Sequence, residues 1–83
     1  MIEIYGKPQC PYCDSAKRLC ETRQLQYAYH ELGTDFTRDK VLELFPGAKT
    51  FPQIKVNNTS IGGHAQLLAY LEETGYNGTG HSL

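Results

Sequence analysis

Four residues, Cys10-Pro11-Tyr12-Cys13, limit what this chain can fold into more than any other stretch. They stand between a short run of alternating character, Ile2 to Tyr5, and a segment with helical periodicity. Pro11 suits the first turn of a helix, where its missing N–H costs nothing. Two sulfurs three positions apart then lie about one turn apart on the same side of that helix. The strand before them is broken by Gly6-Lys7-Pro8. The remaining punctuation divides the rest of the chain into further strands and helices.

The helix runs from Pro11 to about Gln24, with Ala16, Leu19 and Cys20 on one face and Asp14, Lys17, Arg18 and Glu21 on the other. Gln26 to Leu32 reads as the second strand, with Tyr27, Tyr29 and Glu31 on one side and Ala28, His30 and Leu32 on the other. Thr37 is the expected N-cap of a helix over Arg38 to Phe45, which Pro46-Gly47 stops. Gln53 to Val56 and Thr59 to Ile61 form a hairpin around Asn57-Asn58, a dipeptide that tolerates positive φ. Gly62-Gly63 leads into a last helix, His64 to Thr74, with Leu67, Leu68 and Leu71 facing inward. The order is β-α-β-α-β-β-α. A helix joins the first two strands, so they should be parallel with a right-handed crossover. An α/β fold follows, a four-stranded mixed sheet flanked by three helices. The domain spans 1–74, and a polar, glycine-rich tail spans 75–83 and is expected to fray.

The 83 residues suffice for one small domain. A formal net charge of -1 argues against a nucleic-acid footprint. No run is long and apolar enough to cross a bilayer, and the first residues lack the basic and apolar regions of a signal peptide. A cytoplasmic location is therefore expected, without membrane association. In that compartment a Cys-x-x-Cys is catalytic or metal-binding rather than a structural disulfide. The count of three cysteines excludes a fully paired framework in any case. The Asn-x-Ser/Thr matches at Asn57, Asn58 and Asn77 carry little weight without secretion, and the first two read as turn residues.

At a helix N-terminus, exposed N–H groups and the dipole stabilise a thiolate. Cys10 sits where that effect is greatest, and Lys7 adds a positive charge nearby. Cys13 lies a turn further in and more shielded. An asymmetric pair results, with Cys10 attacking and Cys13 resolving a mixed disulfide. Two blander readings compete. A zinc half-site would need two more ligands from Cys20, His30, His64 or His81, and no second ligand pair has the right spacing. Inert core cysteines would not be flanked by Pro8, Pro11 and Lys7. Cys20, on the helix's apolar face, reads as a small core residue. Tyr5, Tyr27, Tyr29 and Tyr70 read as packing, and His30 as a strand residue without chemistry.

These residues resemble a dithiol glutaredoxin of the thioredoxin superfamily. Cys10-Pro11-Tyr12-Cys13 is that family's typical tetrapeptide. Thr50-Phe51-Pro52 is similar to its Thr-Val-Pro, and Ile61-Gly62-Gly63 to the glycine pair before its last helix. The resemblance covers the chain except the tail. It implies a thioredoxin-like fold and a glutathione-dependent thiol–disulfide oxidoreductase, with Cys10 and Cys13 catalytic, a cis peptide before Pro52, glutathione as cosubstrate and no bound cofactor or metal. It further implies a glutathione groove built from Lys7, Tyr12, Thr50, Phe51, Pro52, Gly63 and His64. Lys7 or Lys49 would take the glycine carboxylate, Phe51 would offer its backbone, and Gly63 and His64 would present free N–H groups to the glutamyl end. A monomer acting on disulfide or glutathionylated proteins, ribonucleotide reductase among them, is the expected mode. One position departs from the pattern: the family shows Asp after the first residue of the last helix, and this chain has Ala65. That departure keeps open a thioredoxin-like or NrdH-type redoxin reduced by a flavoprotein reductase. An iron–sulfur carrier, with Cys10 and glutathione as ligands in a dimer, is a separate alternative.

Overall fold

The computed structural model describes residues 2–75. Seven elements follow one another: β1 (Ile2–Gly6), α1 (Pro11–Thr22), β2 (Tyr27–Glu31), α2 (Arg38–Leu44), β3 (Gln53–Val56), β4 (Thr59–Gly62) and α3 (His64–Thr74). The sheet order is β2-β1-β3-β4. β1 runs parallel to β2 and antiparallel to β3, and β3 pairs antiparallel with β4. This is the expected mixed sheet of a thioredoxin-like fold. The tail expected over 75–83 lies, apart from Gly75, outside the described residues.

Strand alternation divides the interior into two layers. Ile2 and Ile4 of β1 and Ile54 and Val56 of β3 meet Ala16 and Cys20 of α1 and Leu67 and Leu71 of α3. Each buried Ile or Leu contributes about 1.5–3 kcal/mol relative to exposure. On the opposite face, Phe36, Val41 and Phe45 pack around Tyr5, under the short α2. Among the described residues, no helix is long and apolar enough to cross a membrane.

Most element boundaries fall where side-chain chemistry puts them. Thr37 Oγ1 accepts from the Lys40 N–H at 3.2 Å and starts α2. Asn57 and Asn58 hold φ values of 52° and 68°, as a two-residue hairpin turn requires. The end of α1 differs from the periodicity, which carries on to Gln24. The helix stops at Thr22 because Gln24 adopts φ 58°. The Leu25 N–H then reaches back to the Cys20 carbonyl at 2.8 Å and that of Gln24 to the Glu21 carbonyl at 3.1 Å. Leu25 drops into the core beside Cys20, so apolar contact secures a left-handed helix end without glycine. β4 runs one residue beyond Ile61, through Gly62, which pairs with Ile54 across an irregularity in the ladder.

Candidate active site

Three chain ends meet at one edge of the sheet. β1 finishes there, and Tyr5 pairs with Gln53, the first residue of β3. Gly62, the last residue of β4, pairs with Ile54. The start of α1, the loop before β3 and the start of α3 are thereby brought together.

Cys10 is the N-cap of α1. Its Sγ accepts from the Cys13 N–H at 3.2 Å, and its carbonyl accepts from the Asp14 N–H at 3.1 Å. A sulfur therefore takes the place usually held by a Ser or Asp oxygen, and negative charge on it is stabilised by that N–H and by the helix dipole. Cys10 and Cys13 are joined as a disulfide, with Cα atoms 5.2 Å apart. Cys13 is fully buried, whereas Cys10 keeps 6% of its surface open beside an exposed Tyr12. Opposite, the Phe51-Pro52 peptide bond is cis, and the Phe51 carbonyl oxygen lies 4.0 Å from Cys10 Sγ.

A cleft of about 440 Å³ runs past Cys10, with Lys7, Arg38 and Lys49 on its rim and Thr50 and Phe51 in its wall. Among the described residues, no carboxylate lines it. A second cleft, of about 420 Å³, lies between Tyr12, Pro52 and the start of α3, where the Tyr12 and His64 rings stack with centroids 6.4 Å apart. Arg38 was not singled out from the sequence, although a signal existed: it is a cation in the first turn of a helix, the end at which the dipole disfavours it.

One expectation needs correction. The Gly63 N–H is not free for a carboxylate, because it donates to Gln66 Oε1 at 2.9 Å and closes the cap of α3. Packing explains why: Gly62, at φ 108°, lets the Gln66 side chain fold back over it. Gln66 is therefore occupied rather than available in place of the missing acid. Of the candidate zinc partners among the described residues, His64 stands near the dithiol, stacked on Tyr12, and the others do not. Cys20 sits in the apolar layer under α1 and α3. His30 lies on the α2 face, stacked on Tyr5 at 4.5 Å and 3.6 Å from Glu3. His81 lies outside the described residues.

A thioredoxin-like sheet with a Cys-x-x-Cys disulfide at a helix N-terminus and a cis-proline loop facing it defines a dithiol redox protein. The glutaredoxin family model matches residues 2–61. The chain belongs to the glutaredoxin family. It is 36% identical over 64 residues to glutaredoxin 1 of Rickettsia felis, a match covering 75% of this chain and 63% of that protein. With the glutaredoxin of Neisseria meningitidis serogroup A it shares 30% identity over 79 residues, covering 93% and 92% of the two chains. The fold is also that of oxidised Escherichia coli glutaredoxin, with a TM-score of 0.73 and 32% identity over 87% of this chain and 93% of that one.

Proposed function

We propose that this chain is a glutathione-dependent thiol–disulfide oxidoreductase acting on protein disulfides and glutathione mixed disulfides. One observation carries the proposal: the Cys10 sulfur caps α1, accepting the Cys13 N–H at 3.2 Å, beside a cleft rimmed by cations. The Cys10 thiolate attacks one sulfur of a substrate disulfide. An S–S bond forms between Cys10 and that sulfur, the substrate S–S bond breaks, and the leaving thiolate takes a proton from water. Cys13, as a thiolate, then attacks Cys10 Sγ and expels the second substrate sulfur, which leaves the internal disulfide. Two glutathione molecules reopen it in sequence and depart as glutathione disulfide, so both electrons come from glutathione.

In this reading the groove residues are Lys7, Tyr12, Thr50, Phe51, Pro52 and His64, with Lys7, Lys49 and Arg38 drawing the glycine carboxylate. Glutathione is cosubstrate, no cofactor or metal stays bound, and the chain works as a cytoplasmic monomer. Protein clients, ribonucleotide reductase among them, belong to the same proposal. A second reading has an observation of its own. Position 65 is alanine and Gln66 Oε1 is committed to Gly63, so neither residue 65 nor residue 66 offers the glutamyl ammonium an acceptor. A redoxin served by a flavoprotein reductase would not need one.

Electron-donor assays separate the two. Turnover with glutathione supports the proposal, and turnover only with NADPH and a thioredoxin reductase overturns it. Calorimetry on Ala65→Asp sharpens the groove. One partly exposed ion pair should tighten glutathione binding about 2–5-fold, and an unchanged Kd discards the glutamyl subsite.

A further inference from the structure

We propose that Tyr29 is the group that lets the buried Cys13 ionise: its phenol O–H donates a hydrogen bond to the Cys13 sulfur whenever that sulfur is a thiolate. The proposal rests on Cys13 being the resolving thiol.

The need for such a group comes from burial. Cys13 and Cys20 both have no exposed surface and lie on the same face of α1. Burial, helped by the Glu21 carboxylate, pushes the Cys20 thiol up to about 11. A thiol held there is ionised in only about one molecule in ten thousand at pH 7. Cys13 is equally removed from water, yet it must become a thiolate to attack. Its backbone N–H serves Cys10, so the donor for its own sulfur has to come from elsewhere.

The packing at Gly6 supplies one. A Cβ added to Gly6 would collide with the Tyr29 hydroxyl, lie 2.8 Å from Tyr29 Cζ and lie 3.0 Å from Cys13 Sγ. The phenol oxygen and the sulfur thus border the same small gap, which exists because position 6 has no side chain. The parallel register produces this arrangement. Tyr29 pairs with Ile4, and Gly6 follows two residues on along the same face of β1, beneath the first turn of α1. The Tyr29 hydroxyl has no hydrogen-bond partner among the described residues, and its ring is half-buried against the α1–α3 core layer.

The charges around Tyr29 keep it a donor. Burial first, then the Glu31 carboxylate of β2 and the Asp14 carboxylate of α1, raise its pKa above the ordinary 10.0, so the phenol holds its proton. From α1, the Lys17 ammonium sits 4.2 Å above the ring centroid and 3.6 Å from Asp14. The ring's quadrupole holds that cation over its face. β1 presents Gly6 here and no charge. In the resolving step the Cys13 proton leaves to water, the Cys13–Cys10 S–S bond forms, and the substrate thiolate departs with the electron pair of the broken bond. Tyr29 keeps its own proton throughout.

Stopped-flow reaction of the reduced full chain with 5,5′-dithiobis(2-nitrobenzoate) tests this without glutathione. The first equivalent of thionitrobenzoate reports attack by Cys10, and the second reports resolution by Cys13. Tyr29→Phe keeps the ring and its contact with Lys17. The pH midpoint of its second phase should rise by about 1 unit, which slows that phase about tenfold at pH 7, as expected for a lost hydrogen bond to a charged group. Gly6→Ala, which displaces the hydroxyl but leaves the phenol, should move the second phase the same way. A second-phase midpoint that stays put in Tyr29→Phe overturns the proposal, and so does an equal shift of both phases. A wild-type chain that releases only one equivalent overturns the dithiol reading and the role of Tyr29 with it. A chain served by a reductase instead of glutathione would still show the expected shift.

Discussion

The two ends of α1 treat a buried sulfur in opposite ways. Cys13, in the first turn, and Cys20, seven residues on, are both closed off from solvent. Cys20 lies in the apolar layer beside Ala16 and Leu25, and burial first, then the Glu21 carboxylate, pushes its thiol up to about 11. Around Cys13 stand a second sulfur, a helix N-terminus and a tyrosine hydroxyl across the Gly6 gap. Burial is common to both, so burial does not distinguish a working thiol from a packing one. The polar groups beside the sulfur make that distinction.

Breaking the active end should have the largest effect. Cys10→Ser is expected to lower activity on every disulfide by on the order of 10³-fold or more, because the attacking atom is gone. Assays on a protein disulfide and on a glutathione mixed disulfide check this. Cys13→Ser should lower protein-disulfide reduction about a hundredfold and keep deglutathionylation, since glutathione can resolve a small mixed disulfide but lacks the effective concentration of a tethered thiol. Reversed outcomes for the two serine variants would exchange the assigned roles.

At the other end the effects concern stability. Cys20→Ser places a hydroxyl in an apolar layer and should cost about 1–3 kcal/mol, read as a lower urea midpoint, with both exchange activities kept by the folded protein. The other expected effect at this end is a pH dependence. The thiol of Cys20 has an ordinary value of 9.0 and is raised to about 11 in the fold. The unfolded chain therefore releases that proton first, and stability falls as pH rises from about 9 through about 11. Urea midpoints measured across that window should fall less in Cys20→Ala than in the wild type.

Much of this was legible along the chain because short-range rules set it. Thr37 caps α2, Asn57-Asn58 make the hairpin turn, and α3 spans His64–Thr74, as their local chemistry requires. The site was legible where family motifs mark it: the dithiol, the cis proline and the cationic Lys7. Other features depended on contacts that pattern does not carry. The early end of α1 depends on Leu25 finding the core beside Cys20. The Gly63 N–H is used up because Gln66 folds over Gly62. Arg38 lines the cleft beside Cys10, although it stands 28 residues further along the chain.

By itself the sequence determined that a helix opens at Cys10, that Cys13 follows one turn later on its inner side, and that strands flank that helix. Propensity, capping and alternation act within a few residues, and they settle such matters before any long-range contact forms. Only the tertiary structure decided which buried sulfur has a donor beside it. Tyr29 is sixteen residues from Cys13 along the chain, and its meeting with Cys13 and Gly6 depends on the parallel register of β1 and β2, which sheet pairing and the packing of α1 establish together.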